Sequence, residues 1–199
     1  MKKFDVEIKR NASSSEPLPA GGYVAKIMNA EVKEYSWGKV LVISFDIAEG
    51  EYKDFFATQY RENTNEDKKW KGNFRLTVPQ EGNQYFESQK KTFGNCFACI
   101  EKSNSGYHWN WNEAELKGKI VGVLFRNKEW EMDGNTGWTT ECCTFTTADD
   151  VRNGKFKMPK DKPLKNKPAP TNLVPTNLVP TNPVPANFEE IDTDDDLPF

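Results

Sequence analysis

The sequence predicts a mainly β chain: an OB-fold-like five-stranded barrel with one interposed helix, followed by a disordered C-terminal tail. Three observations carry this. Apolar residues alternate with a two-residue period in several separate runs. One stretch, Gln84–Lys102, instead repeats phenylalanines at helical spacing. Past Gly154 the composition turns to lysine and then to a short proline repeat. Five strands with a helix before the fourth is the order of an OB-fold, a small closed barrel with Greek-key ordering. Other small barrels and sandwiches share the strand count.

The first twenty residues, with Ser13-Ser14-Ser15, Pro17 and Pro19, read as a loose lead-in. From Gly21 the pattern turns to β. Tyr23–Tyr35 alternates over a long run broken at Met28-Asn29, and Val40–Glu49 places Leu41, Ile43, Phe45 and Ile47 on one face. Gly50-Glu51 suggests a tight turn into a third strand over Tyr52–Arg61, completing a meander. Glu62–Lys71 is polar and reads as a loop, and Asn73–Val78 as a short strand or extended segment ending at Pro79.

Asn83 is a suitable cap for a helix over Gln84–Lys102, whose Phe86, Phe93, Phe97 and Ile100 form an apolar face. Gly94 weakens that helix without breaking it. Glu113–Leu116 fits a single turn. Lys119–Asn127 and Thr139–Thr147 read as two further strands joined by a hairpin turning at Asp133-Gly134-Asn135. Ala148–Asn153 fits a closing helical turn. The barrel domain is thus expected over 21–153.

A linker is expected over 154–188. The stretch 152–167, which overlaps its start, holds seven bases against one acid, and then Pro-Thr-Asn-Leu-Val recurs from Pro170 with a five-residue period. Such a repeat is too short for a solenoid unit and has no helical pattern, so it reads as an extended solvated spacer. Residues 189–199 hold six acids and no base, whereas residues 1–151 hold 20 bases against 23 acids. The predicted barrel is therefore not basic overall, and any binding of nucleic acid must use a local patch.

No apolar stretch is long enough to span a bilayer, and the N-terminus lacks the apolar core of a signal peptide, so a cytoplasmic location is expected. Cys96, Cys99, Cys142 and Cys143 would then be reduced. Cys96 and Cys99 form a CxxC, but they fall in the predicted helix and the other two are adjacent, which favours buried thiols over zinc. His108 is the only histidine, and no phosphate loop or nucleophile elbow is present. The expected protein is not an enzyme and takes no cofactor or metal.

The aromatic content is 13%, with six tryptophans, several in polar surroundings. Trp37 lies in the turn Ser36-Trp37-Gly38-Lys39. Tyr60-Arg61 ends the expected third strand. Trp70 sits among Lys68, Lys69 and Lys71, with Phe74 and Arg75 just beyond. Trp130 and Trp138 flank the last hairpin, and Trp109 and Trp111 alternate beside His108. Aromatic faces stack bases and cations meet phosphates, so this interleaving suits single-stranded nucleic acid. Trp37, Tyr60, Trp70, Phe74 and Trp130 are the candidate stacking residues, with Lys39, Arg61, Lys69, Lys71 and Arg75 as phosphate partners. The competing use of hairpin tryptophans is to plug an open barrel end. Phe45, Phe86, Phe93, Phe97 and Phe125 read as core.

The chain ends Asp194-Asp195-Asp196-Leu197-Pro198-Phe199. Acids steer toward a basic surface, Phe199 can plug an apolar pocket, and Pro198 limits the entropy lost on docking. This tip resembles the acidic tip of bacterial single-stranded-DNA-binding proteins. The match covers only the last six to eight residues, and the barrel resembles that family in strand order rather than sequence, as a bacteriophage version borrowing the host's docking motif would. The resemblance implies a protein that coats single-stranded DNA during replication, recombination or repair, in the bacterial host cytoplasm. It also implies that Asp194, Asp195, Asp196, Leu197, Pro198 and Phe199 recruit replication and recombination proteins. The alternative is an adaptor whose barrel binds a protein instead of DNA. The oligomeric state is not legible.

Overall fold

The computed structural model describes residues 17–164. The elements run β1 (Gly21–Tyr35), β2 (Gly38–Ile47), α1 (Phe55–Glu62), β3 (Asn73–Thr77), α2 (Phe86–Ser103), a 3-10 turn (Glu113–Leu116), β4 (Ile120–Met132), β5 (Asn135–Thr146) and α3 (Ala148–Arg152). The strands form one antiparallel sheet in the order β3-β2-β1-β4-β5. Strand β1 is longest and sits in the middle, where the sheet can wind around a core of Ile27, Leu41, Ile43, Phe45, Ile100, Leu116, Val121 and Val123.

The break expected at Met28-Asn29 is a β-bulge: Ile27 pairs with Phe45, Asn29 pairs with Ser44, and Met28 is the extra residue. A bulge sharpens the local twist and resets which face points inward, so Ala25 and Ile27 are buried before it and Ala30 after it.

Two expectations are corrected. Residues 52–61 are not a strand. Tyr52, Phe55 and Phe56 recur at i, i+3 and i+4, and residues from Phe55 form helix α1. The buried Asp46 carboxylate on β2 caps that helix from outside, accepting from the backbone N–H groups of Phe56 and Ala57 at 2.9 Å each and from Ile47 at 2.8 Å. Burial raises the Asp46 acid above the ordinary aspartate value, against these three hydrogen bonds. The third strand of the meander is instead β3.

The barrel is also not closed. Among the described residues no ladder joins β3 to β5, and the two free edges meet through side chains, Phe74 against Phe145 with ring centroids 4.5 Å apart. Strand β3 is only five residues long. Helix α2 packs against β3, β4 and β5 and sinks Phe93, Cys96, Phe97 and Ile100 into the core beside that seam. Its start is two residues later than expected, and the Asn83 side chain accepts from Tyr85 N–H in the turn before it.

The last hairpin turns through Asp133-Gly134, both at positive φ, the backbone of a two-residue type I′ turn. Its strands extend nearer the turn than expected. The Thr147 hydroxyl accepts from Asp150 N–H at 3.0 Å and starts α3.

Described structure also continues past 153, into the stretch expected to be linker. Phe156 covers Gly22, where a Cβ would lie 2.6 Å from its ring. Lys162 forms a parallel bridge to Lys128 of β4, donating from its N–H to Asn127 O (2.8 Å) and accepting from Glu129 N–H (2.9 Å). At the other end, Leu18 of the expected lead-in is buried in the core. The proline repeat, the acidic tip and residues 1–16 lie outside the described residues.

Candidate nucleic-acid interface

The seam between the free edges opens into a cleft of about 660 Å³. One wall is β5 from Trp138 to Cys143; the other is β3 from Asn73 to Arg75, preceded by Lys71. Phe55, Phe56 and Gln59 of α1 add a side wall, and the buried Phe74 and Phe125 supply an apolar floor. The charged lining consists of Lys71, Arg75, Arg126 and a single acid, Glu141. A chain with more acids than bases thus places a local excess of cations here. Lys71 and Arg75 have no ion-pair partner within 4.0 Å among the described residues.

The hairpin beside the cleft is a two-stranded arm. Strand β4 pairs with β1 only as far as Phe125, whereas its pairing with β5 continues to Met132. Directly paired residues share a face, so Arg126 with Glu141, Lys128 with Thr139 and Trp130 with Gly137 line one face of the arm. Gly137 is required there: a Cβ would lie 2.7 Å from the Trp130 indole, which rests across the strand. Trp130 remains 39% exposed. Trp138 stands on the opposite face across from Glu129 and is 53% exposed.

The sequence-predicted residues separate into three groups. Lys71, Phe74, Arg75 and Trp130 meet at the cleft. Phe74 is corrected from stacking residue to core: it is 7% exposed and packed on Phe145, because alternation along β3 turns it inward while Arg75 turns out.

Tyr60, Arg61, Lys69 and Trp70 form a second group on α1 and the loop after it. Tyr60 packs against Trp70 (5.8 Å between centroids) and carries Lys68 over its ring at 4.7 Å. The Trp70 indole N–H is already used, donating to the carbonyls of Phe45 (3.0 Å) and Gly72 (3.2 Å), and its ring packs on the core. Arg61 and Lys69 are exposed.

Trp37 and Lys39 form the third group, at the β1–β2 hairpin. Trp37 stacks on Tyr35 at 5.1 Å with planes 10° apart, and Lys39 pairs with Glu34. Both are exposed.

Sequence reasoning left Arg126, Glu141 and Phe55 out of the site and did not choose Trp138 over a plugging role. Arg126 and Glu141 had a signal in the turn. A two-residue turn at Asp133-Gly134 sets Arg126 opposite Glu141, whereas a three-residue turn to Asn135 sets it opposite Cys142, and that one-residue difference hid the pair.

Of the remaining aromatics, Trp109 packs on Phe97 at 4.2 Å, and Trp111 stacks above Phe93 while staying 76% exposed. All four cysteines are free thiols, and burial pushes Cys96 up to about 12. Among the described residues no group of three or more His, Cys, Asp or Glu side chains is placed to hold a metal, and no helix is long and apolar enough to cross a membrane. No protein-family model matches the chain, and a comparison with curated proteins finds no match.

Proposed function

We propose that the protein binds single-stranded DNA in the seam cleft and recruits replication or recombination proteins through its acidic C-terminal tip. The observation that carries this is the cleft itself: Lys71, Arg75 and Arg126 against one acid, flanked by the exposed Trp130 and Trp138. Cations for phosphates beside aromatic faces for bases are what sequence-independent strand binding needs.

The fold supports the same function. A sheet ordered β3-β2-β1-β4-β5, with a helix between β3 and β4, is the OB-fold order opened at the β3–β5 seam. OB-folds bind oligonucleotides on the face of strands 2 and 3, between the 1–2 and 4–5 loops. Here those loops carry Trp37 and the Trp130/Trp138 arm. The tip's likeness to bacterial single-stranded-DNA-binding proteins supplies the recruiting role and a bacteriophage setting, with the host cytoplasm as the place of action. Binding of this kind is stoichiometric coating without turnover, so no catalytic residue is assigned.

The test is a titration with oligo-dT followed by tryptophan fluorescence at low and moderate salt. Strong quenching that weakens as salt rises is expected, because each phosphate contact releases counterions. A flat titration at both salts would sink strand binding. The net negative charge of residues 1–151 favours one other reading, an adaptor whose barrel binds a protein. An apolar protein interface of that kind lacks the steep salt dependence.

A further inference from the structure

The two walls of the cleft treat their cations differently. On the β3 side Lys71 and Arg75 have no ion-pair partner within 4.0 Å among the described residues. On the arm, both nearby cations converge on one carboxylate. Arg126 donates from Nε (3.1 Å) and Nη2 (3.0 Å) to Glu141 Oε1, and Lys128 Nζ lies 2.9 Å from Glu141 Oε2. Both carboxylate oxygens are therefore occupied. Burial raises the Glu141 acid, but the hydrogen bonds from Lys128 and Arg126 prevail, and it sits below the ordinary glutamate value. At neutral pH the carboxylate is fully ionised and held.

A carboxylate offers two oxygens sharing one negative charge. A phosphodiester offers the same to the same cations through its two non-bridging oxygens, and Arg and Lys accept either. The triad is also reachable: the three side chains keep 27–42% of their surface exposed, on the face that carries Trp130.

Resting on the strand-binding function above, we propose that Glu141 is a built-in competitor for the DNA backbone. In the free protein it occupies the two cations that a phosphate takes over in the complex. Two consequences follow. Binding is weaker than the cations alone would make it, which favours release and redistribution along a strand. The salt dependence is also shallower, because the Glu141 carboxylate displaced from its two cations attracts cations from solution, offsetting part of what the neutralised phosphate releases. A purely structural ion pair would have the opposite signature, since removing its acid would loosen the arm and weaken binding.

Glu141→Gln distinguishes the two. With oligo-dT as probe, the variant is expected to bind several-fold tighter at low salt. The slope of log K against log salt should steepen by up to about 0.7, the contribution of one phosphate on a single strand. Adding Arg126→Gln and Lys128→Gln to that variant should abolish the gain. Should E141Q melt too low to assay, Glu141→Asp keeps the charge but shortens the reach to the two cations, and is expected to move affinity and slope the same way by less. A folded E141Q that binds no tighter than a binding-competent wild type, with an unchanged slope, overturns the role given to Glu141 and leaves strand binding intact. Failure of both proteins to bind at any salt overturns both.

Discussion

At the scale of single residues, Asp46 shows how much can hang on one buried carboxylate. It is 5% exposed, sits on β2, and ties the start of α1 to the sheet through the N–H groups of Phe56 and Ala57. Asp46→Ala leaves those donors unpaired at the head of a helix. A buried donor without a partner costs about 1–3 kcal/mol, so urea unfolding at neutral pH should register a loss of about 2–4 kcal/mol. Asp46→Asn keeps one acceptor oxygen and should lose less. In the sequence Asp46 is one polar residue in an apolar strand, and nothing local says that its partner is a helix beginning nine positions later. Trp70 teaches the converse. Its lysine neighbours pointed to a ligand, while its indole N–H was assigned to Phe45 and Gly72 by a chain fold that no local pattern reveals.

At the scale of elements, β1, β2, α2 and the last hairpin were legible because each is long and strongly periodic. The segment 52–61 was misread because a short aromatic run fits period 2 and period 3.6 nearly equally. The spacing of Tyr52, Phe55 and Phe56 decides for the helix once Asp46 caps it. The β4–β5 arm is the element on which the proposed function turns. Trp138 points away from the face where Trp130 covers Gly137, so its removal should not disturb that packing. Trp138→Ala is expected to weaken oligo-dT binding by about 1–3 kcal/mol, the worth of one stacked base, with the melting temperature nearly unchanged. Equal affinity for the variant and the wild type would remove Trp138 from the interface.

At the scale of the whole molecule, sequence pattern predicted five strands and one long interposed helix but not the open seam. Closure depends on whether β3 and β5 reach each other, a distance that strand count does not encode. The cleft at that seam was accordingly half visible: Lys71, Arg75 and Trp130 by their chemistry, Arg126 and Glu141 only through register. The charge layout predicts a division of labour between the β domain and the tip. Deleting residues 192–199 should leave oligo-dT affinity within about twofold at moderate salt, where screening limits long-range effects of the acidic segment. On the proposed recruiting role, the same deletion should abolish capture of replication or recombination enzymes in a pull-down from bacterial extract. Loss of oligo-dT binding on that deletion would mean that the two parts do not act separately.

The bridge between Lys162 and β4 has a mechanical meaning. A partner that grips the chain beyond residue 164 pulls first on two backbone hydrogen bonds, Lys162 to Asn127 and Glu129 to Lys162, and on the Leu164 N–H held by Glu129. That fastening lies on the edge of β4 away from β5, outside the pairing that holds the main sheet together. Under tension it would peel open while the ladders of the sheet remain intact. Residues 155–164 measure about 35 Å of chain at full extension, which sets the upper limit on what such peeling could pay out. A short length of chain is thus clipped along the same arm on which the proposed function turns, where a pull from beyond residue 164 would reach it before the sheet.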